Sequence, residues 1–123
     1  MSKVIIIGGG AAGLLAGIAA ATYGAEVTIL EKMRQPGKKM LITGKGRCNV
    51  TNDCDVAQVL NNVPRNGRFL YSAMENCPPS KVMEFFENNG CPLKTERGNR
   101  VFAVSDKAQS ILDCLKAQMH KHK

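Results

Sequence analysis

The chain has 123 residues, 44% of them hydrophobic and 22% charged, with a formal charge of +7. That length holds one ordinary domain and excludes a complete two-domain enzyme. The charge raises a nucleic-acid partner, but only six residues are aromatic, none is Trp, and no recognition-helix or stacking motif appears, so none is expected.

Val4-Ile5-Ile6-Ile7 is an apolar, β-branched run of the kind that fills a buried parallel strand. It runs into Gly8-Gly9-Gly10-Ala11-Ala12-Gly13, which fits GxGxxG with Gly8, Gly10 and Gly13 at the fixed positions. A small-residue helix follows to Tyr23, with Gly24 placed to end it. Val27–Leu30 reads as a second strand closing on Glu31. Each part has a physical task. Gly8 allows the tight strand-to-helix turn, Gly10 leaves the backbone bare for a pyrophosphate, and Gly13 lets the helix sit close to the sheet. The helix N-terminus offers free N–H groups and partial positive charge. Glu31 can accept from both ribose hydroxyls and would repel a 2′-phosphate, which argues against NADP in this site. GxGxxG alone is weak; strand, helix, second strand and terminal acid in order make a dinucleotide fingerprint.

Three other readings compete, one of them a glycine-rich helix packed in a core without any ligand. Val4 to Ala25 carries no charge, as a membrane helix would not, and Gly9, Gly13 and Gly17 have the spacing of membrane helix pairs. Three consecutive glycines argue against it, and no membrane is expected as a partner. A signal peptide would use Lys3 and the alanines at 19 to 21, but cleavage there would discard the fingerprint.

Lys32, Arg34, Lys38, Lys39, Lys45 and Arg47 fall within sixteen positions, a cluster suited to phosphates or to solvent. Pro36-Gly37 marks a turn, and the stretch to Asn52 reads as loop with one helical turn near Lys38–Leu41. Asp53 or Asp55 caps a helix over Val56–Asn62, a second runs from Phe69 to Glu75, and Ser80 caps a third ended by Asn89-Gly90. Val82, Phe85 and Phe86 share a face of the third, and the phenylalanines are expected in the core. Leu93–Thr95 and Arg100–Val104 form a hairpin around Gly98-Asn99. Ser105 caps a last helix from Asp106 to about Met119, with Ile111, Leu112, Leu115 and Met119 as its buried stripe and Asp106 at its positive end.

Cys48, Cys54, Cys77, Cys91 and Cys114 are odd in number and form no CxxC, which suggests free thiols in a reducing cytoplasm. No metal is expected: His120 and His122 sit in the terminal tail and no cysteines have ligand spacing. Two parallel strands cannot make the doubly covered sheet that their apolar character implies. The expectation is an N-terminal portion, over 1–123, of a larger Rossmann-like α/β domain: a parallel βαβ unit, a helical excursion and a β-hairpin. The missing strands would come from a C-terminal part or a partner chain.

The fingerprint, KKMLITGKGRCNVTN (Lys38–Asn52) and GNRVFAVSDKAQSIL (Gly98–Leu112) together resemble bacterial NAD(P)/FAD-dependent oxidoreductases of the aminoacetone-oxidase-like flavoprotein family. Some members of that family are assigned as reductases of conjugated steroid-like enones. Ala103 stands where the family's hairpin has Pro. The resemblance implies a domain of glutathione-reductase type, FAD as cofactor, NAD(P)H as possible co-substrate and a small electron-poor molecule as substrate. It implies Gly8, Gly10, Ala11, Ala12 and Gly13 for the pyrophosphate and Glu31 with Lys32 for the adenosine. Lys38 or Lys39, with Gly46, Arg47, Cys48 and Asn49, would approach the diphosphate, ribityl chain or flavin. The catalytic residues are not identified by it, and the chain by itself is expected to be inactive. A non-catalytic nucleotide-binding module remains an alternative, as does a flavin disulfide reductase using Cys48 and Cys54. The latter is weakened because redox pairs of that type stand as C-x4-C, whereas five residues separate these two.

Overall fold

The structure, a computed structural model, describes residues 1–121. Strand β1 (Lys3–Ile7) and strand β2 (Glu26–Leu30) pair in parallel, in register from Lys3 opposite Glu26 to Ile7 opposite Leu30. Helix α1 (Ala11–Thr22) connects them and packs on one face of the pair. Gly17 makes that packing close: a Cβ there would lie 3.0 Å from Ile29 and 3.4 Å from Ile6. Tyr23 caps the helix and Gly24, at φ +90°, turns the chain out of it. Twelve residues cannot span a bilayer, and among the described residues no helix is long and apolar enough to do so.

The opposite face of the β1–β2 pair is bare. Ile5, Ile7 and Leu30 are 67%, 80% and 52% exposed. The core lies on the other side, where Leu14 and Ile18 of α1 meet Ile111, Leu112 and Leu115 of helix α5 (Ala108–Lys121). Phe86 of helix α4 (Pro79–Asn88) and Met40 join the same cluster. The expected stripe of α5 is buried as far as Leu115, with Met119 packed at its edge.

A second, antiparallel sheet has the order β3 (Thr51–Asn52), β5 (Arg100–Ala103), β4 (Leu93–Glu96). The hairpin β4–β5 is the expected one, with Gly98 and Asn99 both at positive φ in its turn. Strand β3 is a correction to the loop expected there. Its two residues pair with Val101 and Arg100, a long-range contact that local composition does not encode.

The helical excursion comprises α2 (Val56–Asn61), a 3-10 turn over Gly67–Leu70, α3 (Tyr71–Asn76) and α4. Asp55 caps α2, its carboxylate accepting from the Gln58 N–H at 2.8 Å. Four expectations need correcting. Ser80 is inside α4, which starts at Pro79 because the fixed φ of proline suits the first helical position. Asp106 does not lie in the first turn of α5: it sits at φ +60°, and the helix begins at Ala108. Phe86 is buried and Phe85 is packed beside it as expected, but the second helix, expected from Phe69, begins at Tyr71 and leaves Phe69 85% exposed in the 3-10 turn before it. The helical turn expected at Lys38–Leu41 lies over Met40–Gly46 as a 3-10 segment broken at Thr43–Lys45. His122 lies outside the described residues.

Candidate functional site

The first turn of α1 is the centre of the site. Gly10 caps it with extended backbone and no side-chain partner. The first helical bond runs from the Leu14 N–H to the Gly10 carbonyl at 2.9 Å, so the N–H groups of Ala11, Ala12 and Gly13 precede the helical ladder. The three glycines divide the labour as their positions predict. A Cβ on Gly13 would lie 1.9 Å from the Gly8 carbonyl oxygen, so only glycine lets the helix close on the strand. Gly8, at φ +104°, makes the turn. At Gly10 nothing lies within 4 Å of a built Cβ: the space before the helix end is open.

Glu31 locks this corner to the end of β2. Its Oε1 accepts from the Gly9 N–H and its Oε2 from the Met33 N–H, both at 2.8 Å. Those two bonds, Met33 first, and the neighbouring Lys32 hold the carboxyl below its ordinary range despite some desolvation. Each carboxylate oxygen retains acceptor capacity for a sugar hydroxyl. The Gly37 N–H donates to the Gly9 carbonyl at 2.7 Å, which folds the Pro36–Gly37 turn against the glycine run.

Two cavities adjoin the corner. The smaller, about 730 Å³, is lined by Ile7, Gly8, Ile29, Leu30, Glu31 and Lys32. The larger, about 1120 Å³, starts at Gly10, Ala11 and Ala12 and passes Lys39, Cys48 and Asn49. Its far walls are mainly apolar, from Leu15 of α1, Phe85 and Phe86 of α4, and Ile111 and Leu115 of α5. The expected residues thus divide into Gly8, Glu31 and Lys32 at one cavity and Gly10, Ala11, Ala12, Lys39, Cys48 and Asn49 at the other. Lys38 and Gly46 are exposed and line neither.

Arg47 is somewhere else. Its guanidinium grips Glu96 with both terminal nitrogens, at 2.8 and 3.0 Å, and donates to Asp106 at 2.8 Å. It also lies 3.9 Å over the Phe102 ring. Lys94 closes the network onto Asp106 at 2.7 Å and Glu96 at 3.2 Å. The pairing with Arg47, and secondarily Lys94, lowers Glu96 to about 2. In this structure Arg47 therefore fixes the loop to the hairpin and does not reach into either cavity. Lys94, Glu96 and Asp106 are the members that sequence reasoning missed, since they become neighbours only when the hairpin and the turn after β5 fold back on the loop.

Cys48 is 6% exposed, at φ +58°, and its thiol is pushed up by burial, the opposite of an activated thiolate. Cys54 does not line the same cavity, and all five cysteines are free. Neither observation favours a dithiol. Asn49 is held by its own side chain, which donates to the carbonyls of Thr51 and Val101 at 2.9 and 3.1 Å.

The family model described as the HI0933-like protein Rossmann domain matches residues 2–123. A 3-dehydro-bile acid delta(4,6)-reductase of Clostridium scindens is 37% identical over 125 residues, covering all of this chain and 30% of the relative. Ribosomal RNA dihydrouridine synthases of Escherichia coli and Haemophilus influenzae are each 30% identical, over 95% and 98% of this chain and 28% and 29% of theirs. The chain thus spans about 30% of the length of these relatives. Among solved structures, Thermovibrio ammonificans THI4 superposes with a TM-score of 0.63 at 18% identity, over 98% of this chain and 35% of that one, which is a likeness of fold.

Proposed function

The chain belongs to the HI0933-like Rossmann-domain family, and from that premise we propose that it carries the ADP-binding half of an FAD site in a flavoprotein oxidoreductase. The observation that carries this reading is the open corner at Gly10, where three N–H groups that precede the helical ladder face a space that a side chain would fill. Ala11, Ala12 and Gly13 would hold the diphosphate through those N–H groups. Glu31 would accept the ribose hydroxyls, and Lys32 would border the adenosine. Lys39, Cys48 and Asn49 line the route along which the ribityl chain and flavin would extend. Bound FAD would supply hydride-transfer chemistry, while these residues supply position, field and exclusion of water. Glu31 keeps its charge at neutral pH and so disfavours a 2′-phosphate; NAD(P)H, as reductant of the intact protein, would bind elsewhere.

The bare face at Ile5, Ile7 and Leu30 would be covered in the intact protein by further polypeptide, from the same chain or a partner. The named relatives point to one reaction class. A 3-oxo bile acid unsaturated at positions 4 and 6 and a uracil base both present a carbon–carbon double bond conjugated to a carbonyl. The substrate we infer is such an electron-poor alkene, in keeping with the aminoacetone-oxidase-like resemblance. Two kinds of carrier fit: a free small molecule, or a uracil within RNA. The second draws support from the acid-free basic stretch between Glu31 and Asp53.

The test is a fluorescence titration with FAD of the chain and of its Gly10→Asp variant. The native chain should quench flavin emission saturably, and the variant should lose at least a hundredfold in affinity with its Tm unchanged. Equal binding by both would refute the proposed corner.

A further inference from the structure

We propose that Arg47 and its carboxylate partners form a positioning clasp, which holds the segment Thr43–Asn49 in the shape that receives the flavin end of FAD and leaves the ADP end untouched. This rests on the flavin reading and deepens it, since it divides the cofactor between two parts of the chain.

The segment needs holding. Gly44, Lys45, Gly46 and Cys48 all stand at positive φ. For Lys45 and Cys48 that is a costly conformation, which persists only where the surroundings over-determine it. The chain also doubles back closely here: a Cβ on Gly44 would lie 2.8 Å from the Asn49 nitrogen and 3.4 Å from the Phe102 ring. Both ends of the segment have anchors. Met40 lies in the core, and beyond Cys48 the Asn49 side-chain amide and the Val50 N–H both donate to the Val101 carbonyl. Between those anchors Arg47 ties the strained stretch to the hairpin, through Glu96, Asp106 and the face of the Phe102 ring. Lys94 in turn holds both acids. Asp106 itself sits at φ +60°, so strained backbone stands on both sides of the contact.

None of these four charged residues lines either cavity, yet the segment they hold does: Thr43, Cys48 and Asn49 line the larger one. A guanidinium that already meets two carboxylates has no free fork for a phosphate. The groups proposed to meet ADP lie elsewhere. The amides of α1 and the Glu31 carboxylate belong to the βαβ unit, and Glu31 is tied to it through the Gly9 N–H. Loosening the clasp therefore shifts the wall beyond the diphosphate without moving the glycine corner. Arg47, Glu96 and Asp106 are positioning residues, acting on the cofactor through Cys48 and Asn49.

The experiment is calorimetric titration of the chain with FAD and with ADP, repeated for two variants. Glu96→Gln with Asp106→Asn unclasps Arg47 but leaves it present, and asparagine tolerates the positive φ at position 106. Arg47→Met keeps packing on Phe102 and removes the fork. Both should weaken FAD about tenfold, the scale that losing an orienting partner carries at other binding sites, and leave ADP unchanged. In the same variants without nucleotide, Cys48 should be alkylated faster while buried Cys91 and Cys114 stay slow, because the segment opens and the core does not. Acceleration of all three thiols together would mean that the network holds the whole fold, and would overturn the proposal. So would equal loss of FAD and ADP, or FAD binding weakened by Arg47→Met alone, which would make Arg47 itself a ligand. One FAD affinity for the parent and both variants would end this inference and leave the flavin reading standing. A parent chain that binds neither nucleotide would end both.

Discussion

Replacing Gly13 by alanine isolates the packing role of the glycine corner from its ligand role. The added Cβ would lie 1.9 Å from the Gly8 carbonyl oxygen, with Ile6 at 3.3 Å behind it. The clashing atom is backbone at a turn already at φ +104°, so it cannot swing aside as a side-chain tip can. Either α1 lifts from β1 or the turn opens. A backbone overlap this close belongs in the upper part of the overpacking range, about 2–3 kcal/mol, and the better helix propensity of alanine returns about 1 kcal/mol. The net is about 1–2 kcal/mol. With an unfolding entropy of about 0.26 kcal/mol per kelvin for a chain of this length, Tm should fall by about 4–8 °C. Gly10→Ala is the control. It sits at φ −83° with nothing within 4 Å, so the one cost is the weaker N-cap that alanine makes, and Tm should fall by less than in Gly13→Ala while nucleotide affinity falls. Thermal melts followed by CD decide it. A Gly13→Ala protein as stable as the parent, or a Gly10→Ala protein that melts no later than Gly13→Ala, would refute this division of roles.

Leu112 is fully buried between α1 and the Met40 segment, so Leu112→Ala should cost about 2–5 kcal/mol, enough to unfold much of a small domain in a urea titration. Glu31, Glu96 and Asp106 have depressed carboxyl pKa values, Glu96 at about 2. Their contribution is therefore complete above the ordinary carboxylate pKa near 4.5 and is lost as pH falls toward 2, so acid unfolding should be steep there and shallower in Glu96→Gln. Exposed Cys77 should react first with a thiol reagent at pH 8. Buried Cys48, Cys91 and Cys114 should wait for opening, because burial raises all three thiols, Cys114 to about 11.

The features legible in the sequence were those set by neighbours along the chain. Strand, glycine turn, helix and acid at Glu31 are a local code, and the structure places all of them as that code requires. The α4 face and the β4–β5 hairpin were readable for the same reason, through periodicity and turn residues. What was illegible depends on long-range pairing. Strand β3 exists because Val101 and Arg100 are there to pair with it. Arg47 resembled a phosphate ligand because it stands in a glycine-rich basic loop, yet Glu96 and Asp106, 49 and 59 residues away, claim it first. Phe69 read as the start of a short helix but stands in the 3-10 turn before it, and the short helices around it bury no residue fully.

The three backbone amides at the start of α1 can be watched directly. In a 15N-resolved NMR titration with ADP, the largest shifts should fall on Ala11, Ala12 and Gly13, followed by Gly9 and Met33, which share Glu31. Shifts confined to the apolar walls of α4 and α5, or none at saturating ADP, would contradict the account.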